Sequence, residues 1–405
     1  MLFTAVLIDR SLHEWYNNAT QENQTDMTMK QKAVIVLFVL LACALPVSFS
    51  IIKHYRVRNI ERSIDELPII IASNSGGSIH FTCLNREECV PPTESLGTPN
   101  NPGIDEETNL YLPFYDHSDI FYIDLKQQSV RHITTDPNPK LENFLSIYSL
   151  YTYGKVVLAN FETVVIISKD SSYEVVQLET VDKFGSVSIG GLVQGRKDQV
   201  IAFSTLPIRK EGKDFARVFI IDLDSGAITE KLLPCPPFVE ATQASLAGQK
   251  PGVRYGLTLV SVTAGLDKLY YTFLEDKDTG GGLQVQLGMF DTRSKQETYV
   301  YDSPNGCVPL TTRYRQHKEY LFVGPGRGPL LLRLKDLSPV VDFEALQRRG
   351  LGFGIQALSP FGEYFLVGTP TEAFVLSQDG DVLREYSLPV ELFGESYTFV
   401  EYLND

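Results

Sequence analysis

Residues 218–234 show a pattern that recurs along most of this chain. The apolar run VFII ends in Asp222, and Ser225 and Gly226 then supply residues typical of a tight turn. A second segment, in which apolar and polar residues alternate, follows the turn. This arrangement predicts two antiparallel strands joined as a β-hairpin.

Similar hairpins recur from Leu67 onward, mostly at intervals of about 40–45 residues, which is the spacing of four-stranded propeller blades. Each is marked by the polar residue that follows or ends its first strand: Thr82, Asp124, Ser168, Asp222, Asp291, Asp336 and Ser377. Two intervals are longer because of insertions, one at 206–215 and the other at 235–254 together with 275–282. Seven hairpins predict an all-β fold, a seven-bladed β-propeller over residues 67–405.

The two ends of the repeat array are both incomplete. The first unit has no innermost strand before it, and the chain ends with one additional strand pattern. Pairing the two would close the ring and remove edges that an open sheet exposes to aggregation. We therefore expect Ser396–Leu403 to pair with the unit that contains Ile69–Ser73.

The insertion at 235–254 is rich in Pro, Ala and Gly and shows no strand pattern. Surface loops tolerate changes in length at low cost. We therefore expect that replacing Pro236–Gly252 with a short linker changes the free energy of unfolding by no more than roughly 1–2 kcal/mol.

The units VFIIDLDSGAI, DIFYIDLKQQSV and AFVLSQDGDVL resemble blades of the WD40/YVTN-like β-propeller superfamily. The resemblance extends over about residues 67–405 and implies the propeller fold. The Trp-Asp and Gly-His dipeptides typical of WD40 repeats are missing. The resemblance therefore implies no particular member family and no site residues.

The first 66 residues follow a different pattern. Residues 1–32 are a polar tail, residues 33–52 are an uncharged apolar run, and residues 53–66 are a linker. As a helix, the run would extend about 30 Å, the thickness of a bilayer core. It predicts one N-terminal hydrophobic helix, which is either a transmembrane anchor or a signal sequence. Ala42 and Ala44 have the A-x-A spacing of a signal-peptide cleavage site, and the preceding LLA makes Cys43 resemble a lipoprotein signal.

The flanking charges and the length of the following domain favour opposite orientations in the membrane. Four basic residues within 53–62 follow the run, whereas Lys30 and Lys32 precede it, and the positive-inside rule would then place the large domain in the cytoplasm. Long domains, however, are exported largely regardless of flanking charge. We expect a single-pass membrane protein with its propeller on the extracytoplasmic side.

The overall charge and the cysteines limit partners and bonding. The formal net charge is −14, which argues against a nucleic-acid partner because such binding needs a basic surface. Cys83 and Cys89 flank the tip of the first predicted hairpin, where opposed strands come within disulfide range. A Cys83–Cys89 disulfide and two free thiols are the two alternatives.

Several sequence patterns resemble functional sites, but a turn or loop between strands also explains each of them. The strand-ending carboxylates can be explained as turn residues that accept local backbone N–H groups: Asp124, Asp222, Asp291 and Asp336. Asp276 and Asp278 have the alternate spacing of Ca²⁺ ligands, and Gly324–Pro329 could present amides to an anion. Both segments also fit a loop or turn between strands.

The chain has no nucleophile-elbow motif, and its histidines lack metal-ligand spacing. The sequence therefore identifies no catalytic, cofactor-binding or metal-binding residue and predicts no cofactor. We expect a non-catalytic propeller, tethered to a membrane through residues 33–52, that binds a protein partner on one rim. The alternative is an extracytoplasmic hydrolase or lactonase with its active site at the channel mouth, which converging Asp, Glu, Asn or His side chains would favour.

Overall fold

The structure is a computed structural model, and it describes the chain in segments. The described residues are 64, 68–75, 78–85, 103–104, 109–113, 120–124, 129–133, 148–168, 170, 172–178, 188–240, 242, 250, 253–276, 283–301, 314–317, 319–323, 330–341, 357–389, 397–399 and 401–402. The chain divides into two compact units, Met1–Leu67 and Pro68–Asp405. The segments 1–32, 33–52 and 53–66 lie outside the described residues, apart from residue 64.

The described part of the second unit consists of β-strands and their connections. In chain order the strands are β1 (Ile70–Ser75), β2 (Ser78–Cys83), β3 (Gly103–Ile104), β4 (Asn109–Pro113), β5 (Ile120–Asp124), β6 (Ser129–Ile133), β7 (Tyr148–Thr152), β8 (Lys155–Ala159), β9 (Thr163–Ile167), β10 (Tyr173–Gln177), β11 (Ile189–Gln194), β12 (Gln199–Ser204), β13 (Ile208–Lys210), β14 (Lys213–Asp222), β15 (Ile228–Pro234), β16 (Arg254–Val262), β17 (Lys268–Asp276), β18 (Leu283–Asp291), β19 (Gln296–Tyr301), β20 (Tyr314–His317), β21 (Tyr320–Val323), β22 (Leu330–Arg333), β23 (Pro339–Val341), β24 (Ala357–Phe361), β25 (Tyr364–Gly368), β26 (Glu372–Leu376), β27 (Val382–Ser387), β28 (Tyr397–Phe399) and β29 (Glu401–Tyr402). The predicted hairpin at 218–234 is confirmed, because β14 and β15 pair antiparallel with Ile221 opposite Ile228.

Five sheets of the described strands are regular blades, in which consecutive strands pair antiparallel. Blade 1 is β7–β10, blade 2 is β11–β15, blade 3 is β16–β19, blade 4 is β20–β23 and blade 5 is β24–β27. The first strand of a blade lies innermost, because β11 contacts both β7 and β16, and β16 contacts β20. Blade 2 has an additional strand, β13, which pairs with the start of β14. Blades built in this way define a β-propeller.

Apolar cores fill the spaces between successive blades. Ile166 of β9 and Phe219 of β14 are buried together between blades 1 and 2. Between blades 2 and 3, Phe203 of β12 packs in one core with Tyr271 and Phe273 of β17. Central strands are therefore buried on both faces, which explains why β9 is a continuous apolar run rather than an alternating one.

The C-terminal segment completes two further sheets. Strand β28 pairs antiparallel with β1, placing Phe399 opposite Ile71, which confirms the predicted pairing of Ser396–Leu403 with the unit of Ile69–Ser73. Strand β29 instead pairs in parallel with β3, placing Glu401 opposite Gly103. A single terminal segment thus joins two different sheets.

The predicted count of seven blades is wrong, since the described strands form five regular blades. The two remaining sheets are irregular: β2–β1–β28 has three strands, and β29–β3–β4–β5–β6 contains a parallel pair. The sequence pattern detects hairpins, and a hairpin alone does not establish a regular four-stranded blade. The predicted N-terminal hydrophobic helix is also unsupported. Residues 33–52 lie outside the described part, within which no helix is long and apolar enough to cross a membrane.

The blades have two ends with different connections. Because consecutive strands are antiparallel, the turns after the first and third strands lie at one end, which we call the turn end. The loops after the second strands and the links to the next blade lie at the opposite, connection end. Lys155 lies directly after the first turn of blade 1, and Leu223 lies in the turn after the third long strand of blade 2. The Lys155 ammonium donates to the Leu223 carbonyl at 2.5 Å. The turn ends of these two blades are therefore side by side.

Candidate functional site

Strand-ending aspartates at the turn end act within their own turns. The carboxylate of Asp222 accepts the backbone N–H of Ser225 at 2.9 Å and its hydroxyl at 2.7 Å, and Asp291 accepts the backbone N–H of Ser294 at 2.7 Å. The hydrogen bond from the Ser225 side chain, followed by that from its backbone, lowers the pKa of Asp222 below its usual value. The interpretation of Asp222 and Asp291 as turn residues is confirmed.

The connection end is most extended on blades 2 and 3. Strand β14 has ten residues and β16, β17 and β18 have nine each, whereas β8, β9 and β25 have five. The extra length of β14 pairs with β13 through a turn at Glu211 and Gly212, whose φ angles are 50° and 74°. Two positive φ angles characterise a type I′ turn, and Gly212 adopts this conformation without a Cβ clash. The result is a hairpin that projects beyond the blade.

An arginine joins this hairpin to the segment that follows β15. Arg209 donates from Nε and Nη2 to the two carboxylate oxygens of Asp214, at 2.7 and 3.1 Å. Its Nη2 also donates to the carbonyl of Phe238 at 2.9 Å, and its guanidinium carbon lies 5.5 Å from the centre of the Phe238 ring. The bidentate pair and the ring contact together fix the orientation of the guanidinium.

The first part of the segment 235–254 packs onto the blades, which corrects the expectation of a dispensable insertion. Cys235 is buried in the core between blades 2 and 3, and Phe238 packs against the same core. Val239 forms an isolated bridge with Tyr255, donating to the carbonyl of Arg254 and accepting from the N–H of Gly256. Residues 235–239 are therefore part of the blade 2–blade 3 junction.

A second arginine lies in that junction, within a cluster of polar and aromatic side chains. Nη2 of Arg254 is 2.5 Å from a carboxylate oxygen of Glu297, and the hydroxyl of Tyr271 donates to the other oxygen. The guanidinium carbon of Arg254 lies 4.6 Å from the centre of the Phe273 ring. Gly288 makes this arrangement possible, because a Cβ there would lie 2.5 Å from the Tyr271 ring. We call Arg254, Glu297, Tyr271 and Phe273 the junction cluster.

Exposed apolar side chains lie at the same end. Leu206 is 60% exposed, Val239 is 41% exposed, and Phe161, in the loop after the second strand of blade 1, is 57% exposed. Backbone hydrogen bonds connect these loops, since Ile189 donates to the carbonyl of Phe161 and Thr205 donates to that of Ser188. The connection end of blades 1 to 3 therefore presents apolar side chains beside ring-stacked arginines.

Two titratable groups of the junction, Cys235 and Tyr271, have raised pKa values. Burial, with a smaller effect of the Asp214 carboxylate, raises the pKa of the Cys235 thiol to about 12. Burial and the hydrogen bond with Glu297 also raise the pKa of Tyr271. Both groups are protonated near pH 7, whereas a nucleophile or general base needs the deprotonated form. Within the described segments, no group of three or more His, Cys, Asp and Glu side chains could hold a metal ion.

The other residues considered in the sequence are dispersed. Asp276 is the last residue of β17, whereas Asp278 and Gly324–Pro329 lie outside the described residues. Cys83 ends β2 and is disulfide-bonded. Cys89 lies outside the described residues, so the Cys83–Cys89 pairing stays a prediction.

Sequence reasoning missed the junction cluster entirely. Arg254 and Glu297 are 43 residues apart and lie on the first and last strands of blade 3. No linear motif connects positions with this separation. A usable signal was the length of the strand patterns before Asp291, which are longer than in other units and predict an extended blade.

Comparisons with known proteins give limited information. No protein-family model matches the chain, and no curated protein sequence matches it. The chain is similar to the solved structure of streptogramin B lyase, with a TM-score of 0.41 and 13% identity over 73% of this chain and 86% of that chain. It is also similar to apo AztD from Citrobacter koseri, with a TM-score of 0.43 and 9% identity over 82% of this chain and 97% of that chain. Likenesses at this level carry no argument about function, and the propeller assignment rests on the strand pairing described above.

Proposed function

We propose that the chain is a non-catalytic β-propeller that binds a protein partner at the connection end of blades 2 and 3. The observation that carries this proposal is the combination of exposed apolar side chains with ring-stacked arginines at that end. Leu206 and Val239 supply accessible apolar surface, and Arg209 has a side chain that is 48% exposed. Arginine and aromatic residues are enriched among the residues that contribute most to protein binding.

The local geometry also lowers the cost of binding. Asp214 and Phe238 already fix the orientation of Arg209, and Glu297 and Phe273 fix that of Arg254. Side chains that are ordered before association lose less conformational entropy when a partner docks. An extended, pre-ordered surface of this kind favours recognition of a protein rather than of a small substrate.

Two further parts of the proposal rest on the sequence. The blade patterns support placement in the WD40/YVTN-like superfamily. The uncharged segment 33–52 supports a location at a membrane, with the propeller on the extracytoplasmic side. Carbonate extraction tests the membrane location: full-length chain in the pellet would support it, and intact chain in the supernatant would contradict it.

Site-specific photo-crosslinking tests the binding surface. A photoreactive amino acid is placed at Leu206 or Val239 of the full-length chain in its native cells. Ile228 and Val382 provide matched controls, because they lie next to turns at the turn end and are 40% and 39% exposed, close to the 41% of Val239. We expect the same discrete adduct from the two connection-end positions and none from the controls. Adducts of equal yield at all four positions, or at the controls alone, would contradict the proposal.

A further inference from the structure

The side chain of Gln286 is buried and has no hydrogen-bond partner among the described residues. Gln286 lies on β18 and is 1% exposed, and within the described segments neither its Nε2 nor its Oε1 makes a hydrogen bond. A buried amide that has lost its hydration without gaining a protein partner is unfavourable, and such groups are rare in folded proteins. This amide therefore has an unused donor group and an unused acceptor inside the protein.

The unused amide belongs to the face of blade 3 that carries the junction cluster. Gln286 is the direct cross-strand partner of Phe273, and directly opposite residues of an antiparallel pair project from the same face. Gly288, two residues further along β18, lies on that face too, beneath the Tyr271 ring. The Gln286 side chain is thus enclosed on the side where Arg254 stacks on Phe273.

The junction cluster has a partly exposed side and supplies further donors. Arg254 and Glu297 have side chains that are 25% and 24% exposed, so this pair forms the solvent-facing side of the cluster. The guanidinium of Arg254 donates to Glu297 through one nitrogen. Among the described residues, no second acceptor is hydrogen-bonded to this guanidinium. The charge of Arg254 is already balanced by Glu297, so an anion would gain little there.

We propose that Gln286 and Arg254 form a binding site for a neutral amide group between blades 2 and 3. An amide presents one donor and one acceptor, which complements the Gln286 side chain, and its carbonyl can also accept from Arg254. The buried Phe273 and Tyr271 rings lie on the same face of blade 3 and form the apolar side of the site. The site goes beyond the proposed function, because its ligand is defined by one chemical group. That group can belong to a free small carboxamide or to a peptide.

The test uses the full-length chain with ¹⁵N-labelled glutamine and follows the side-chain NH₂ signal of Gln286 by NMR. The signal is assigned by its loss in Gln286→Met, with Gln286→Leu as a second assignment variant. Propionamide is the first probe, and propionate, which has the same heavy-atom skeleton but a negative charge, is the control. Half-saturation in the millimolar range is expected for a ligand of about five heavy atoms.

We expect a saturable shift of the Gln286 signal with propionamide and none with propionate. The shift should persist in Gln316→Met, a matched control in which the replaced glutamine contacts Ser261 in the innermost strands instead. A second probe, N-acetylalanine methylamide, distinguishes the two sources: a shift with this probe indicates a peptide amide, and a shift with propionamide alone indicates a primary carboxamide. No saturable shift with either amide, or an equal shift with propionate, would overturn the proposal.

Discussion

The two ends of blades 2 and 3 are ordered by different kinds of contact. At the turn end, Asp222 accepts hydrogen bonds from residues two and three positions further along the chain. At the connection end, Arg209 reaches a carbonyl 29 residues away, and Arg254 reaches a carboxylate 43 residues away. The hydrogen bonds of the Asp222 turn therefore need only a few consecutive residues, whereas these contacts of Arg209 and Arg254 need segments distant in sequence to come together first.

The carboxylates of the ion pairs are also more exposed at the turn end than at the connection end. The ion pairs that join neighbouring turns include carboxylates with highly exposed side chains, 74% for Asp224 and 83% for Asp379. Exposed pairs of this kind contribute at most about 1 kcal/mol. The Arg254–Glu297 pair is only a quarter exposed on each side and also contacts aromatic rings. Substitutions should therefore have larger effects at the connection end.

The largest effect is expected from replacing Pro236–Gly252 with a short Gly/Ser linker. This change removes the packing of Phe238 and both backbone hydrogen bonds of Val239, so we expect a loss of roughly 2–4 kcal/mol in the free energy of unfolding. This loss is larger than the change of roughly 1–2 kcal/mol expected from the composition of the segment. Urea denaturation measures the free energy of unfolding. Shortening only 243–249 is the control and should cost less than about 1 kcal/mol; equal costs would show that residues 236–239 are dispensable.

A smaller but specific effect is expected for Gly288→Ala. The added Cβ would lie 2.5 Å from the Tyr271 ring, so the ring, whose hydroxyl donates to Glu297, must shift, at a cost of about 1–3 kcal/mol. Gly265→Ala is the matched control at the turn end, because the nearest atom to its Cβ would be a side-chain oxygen of Asp267, at 3.1 Å. Thermal or chemical denaturation of both variants compares the two ends. A Gly265→Ala variant as unstable as Gly288→Ala would argue against the comparison.

The smallest effect is expected for Asp222→Ala, which removes hydrogen bonds from an exposed turn. The folded-state pKa of Asp222 is lowered, so its charged form stabilises the fold above the unfolded value of about 3.9. This contribution is lost as the pH falls through the lower folded-state pKa. The stability difference between the wild type and Asp222→Ala should therefore be full near pH 7 and shrink in acid. Asp222→Asn, which cannot ionise, should show a difference from Asp222→Ala that does not change with pH.

The sequence predicted those parts of the fold that depend on neighbouring residues or on the need to cover a sheet edge. The hairpin at 218–234, the turn role of Asp222 and the pairing of the terminal strand with the first unit all follow from local alternation and from the need to cover a sheet edge. The number of blades could not be derived from these local rules. The short terminal segment 397–402 divides between two sheets, and the hairpin pattern contains no information on that division.

The candidate site could not be predicted for a related reason. Gln286, Tyr271 and Arg254 become neighbours only because three strands of blade 3 pair in a particular register, with Gly288 leaving room for the Tyr271 ring. Each residue alone is ordinary in a strand. Their combined chemistry therefore becomes visible only after register and packing are known.

The difference between the two ends is measured most directly by a pair of double-mutant cycles. One cycle combines Arg254→Met with Glu297→Gln at the connection end, and the other combines Lys155→Met with Asp224→Asn at the turn end, where the same kind of ion pair spans 2.8 Å. We predict a coupling free energy of about 1.5–3 kcal/mol for the first pair and below about 1 kcal/mol for the second. Equal couplings, or a larger one between Lys155 and Asp224, would contradict the conclusion that the less exposed, ring-stacked pair at the connection end contributes more than the exposed pair at the turn end.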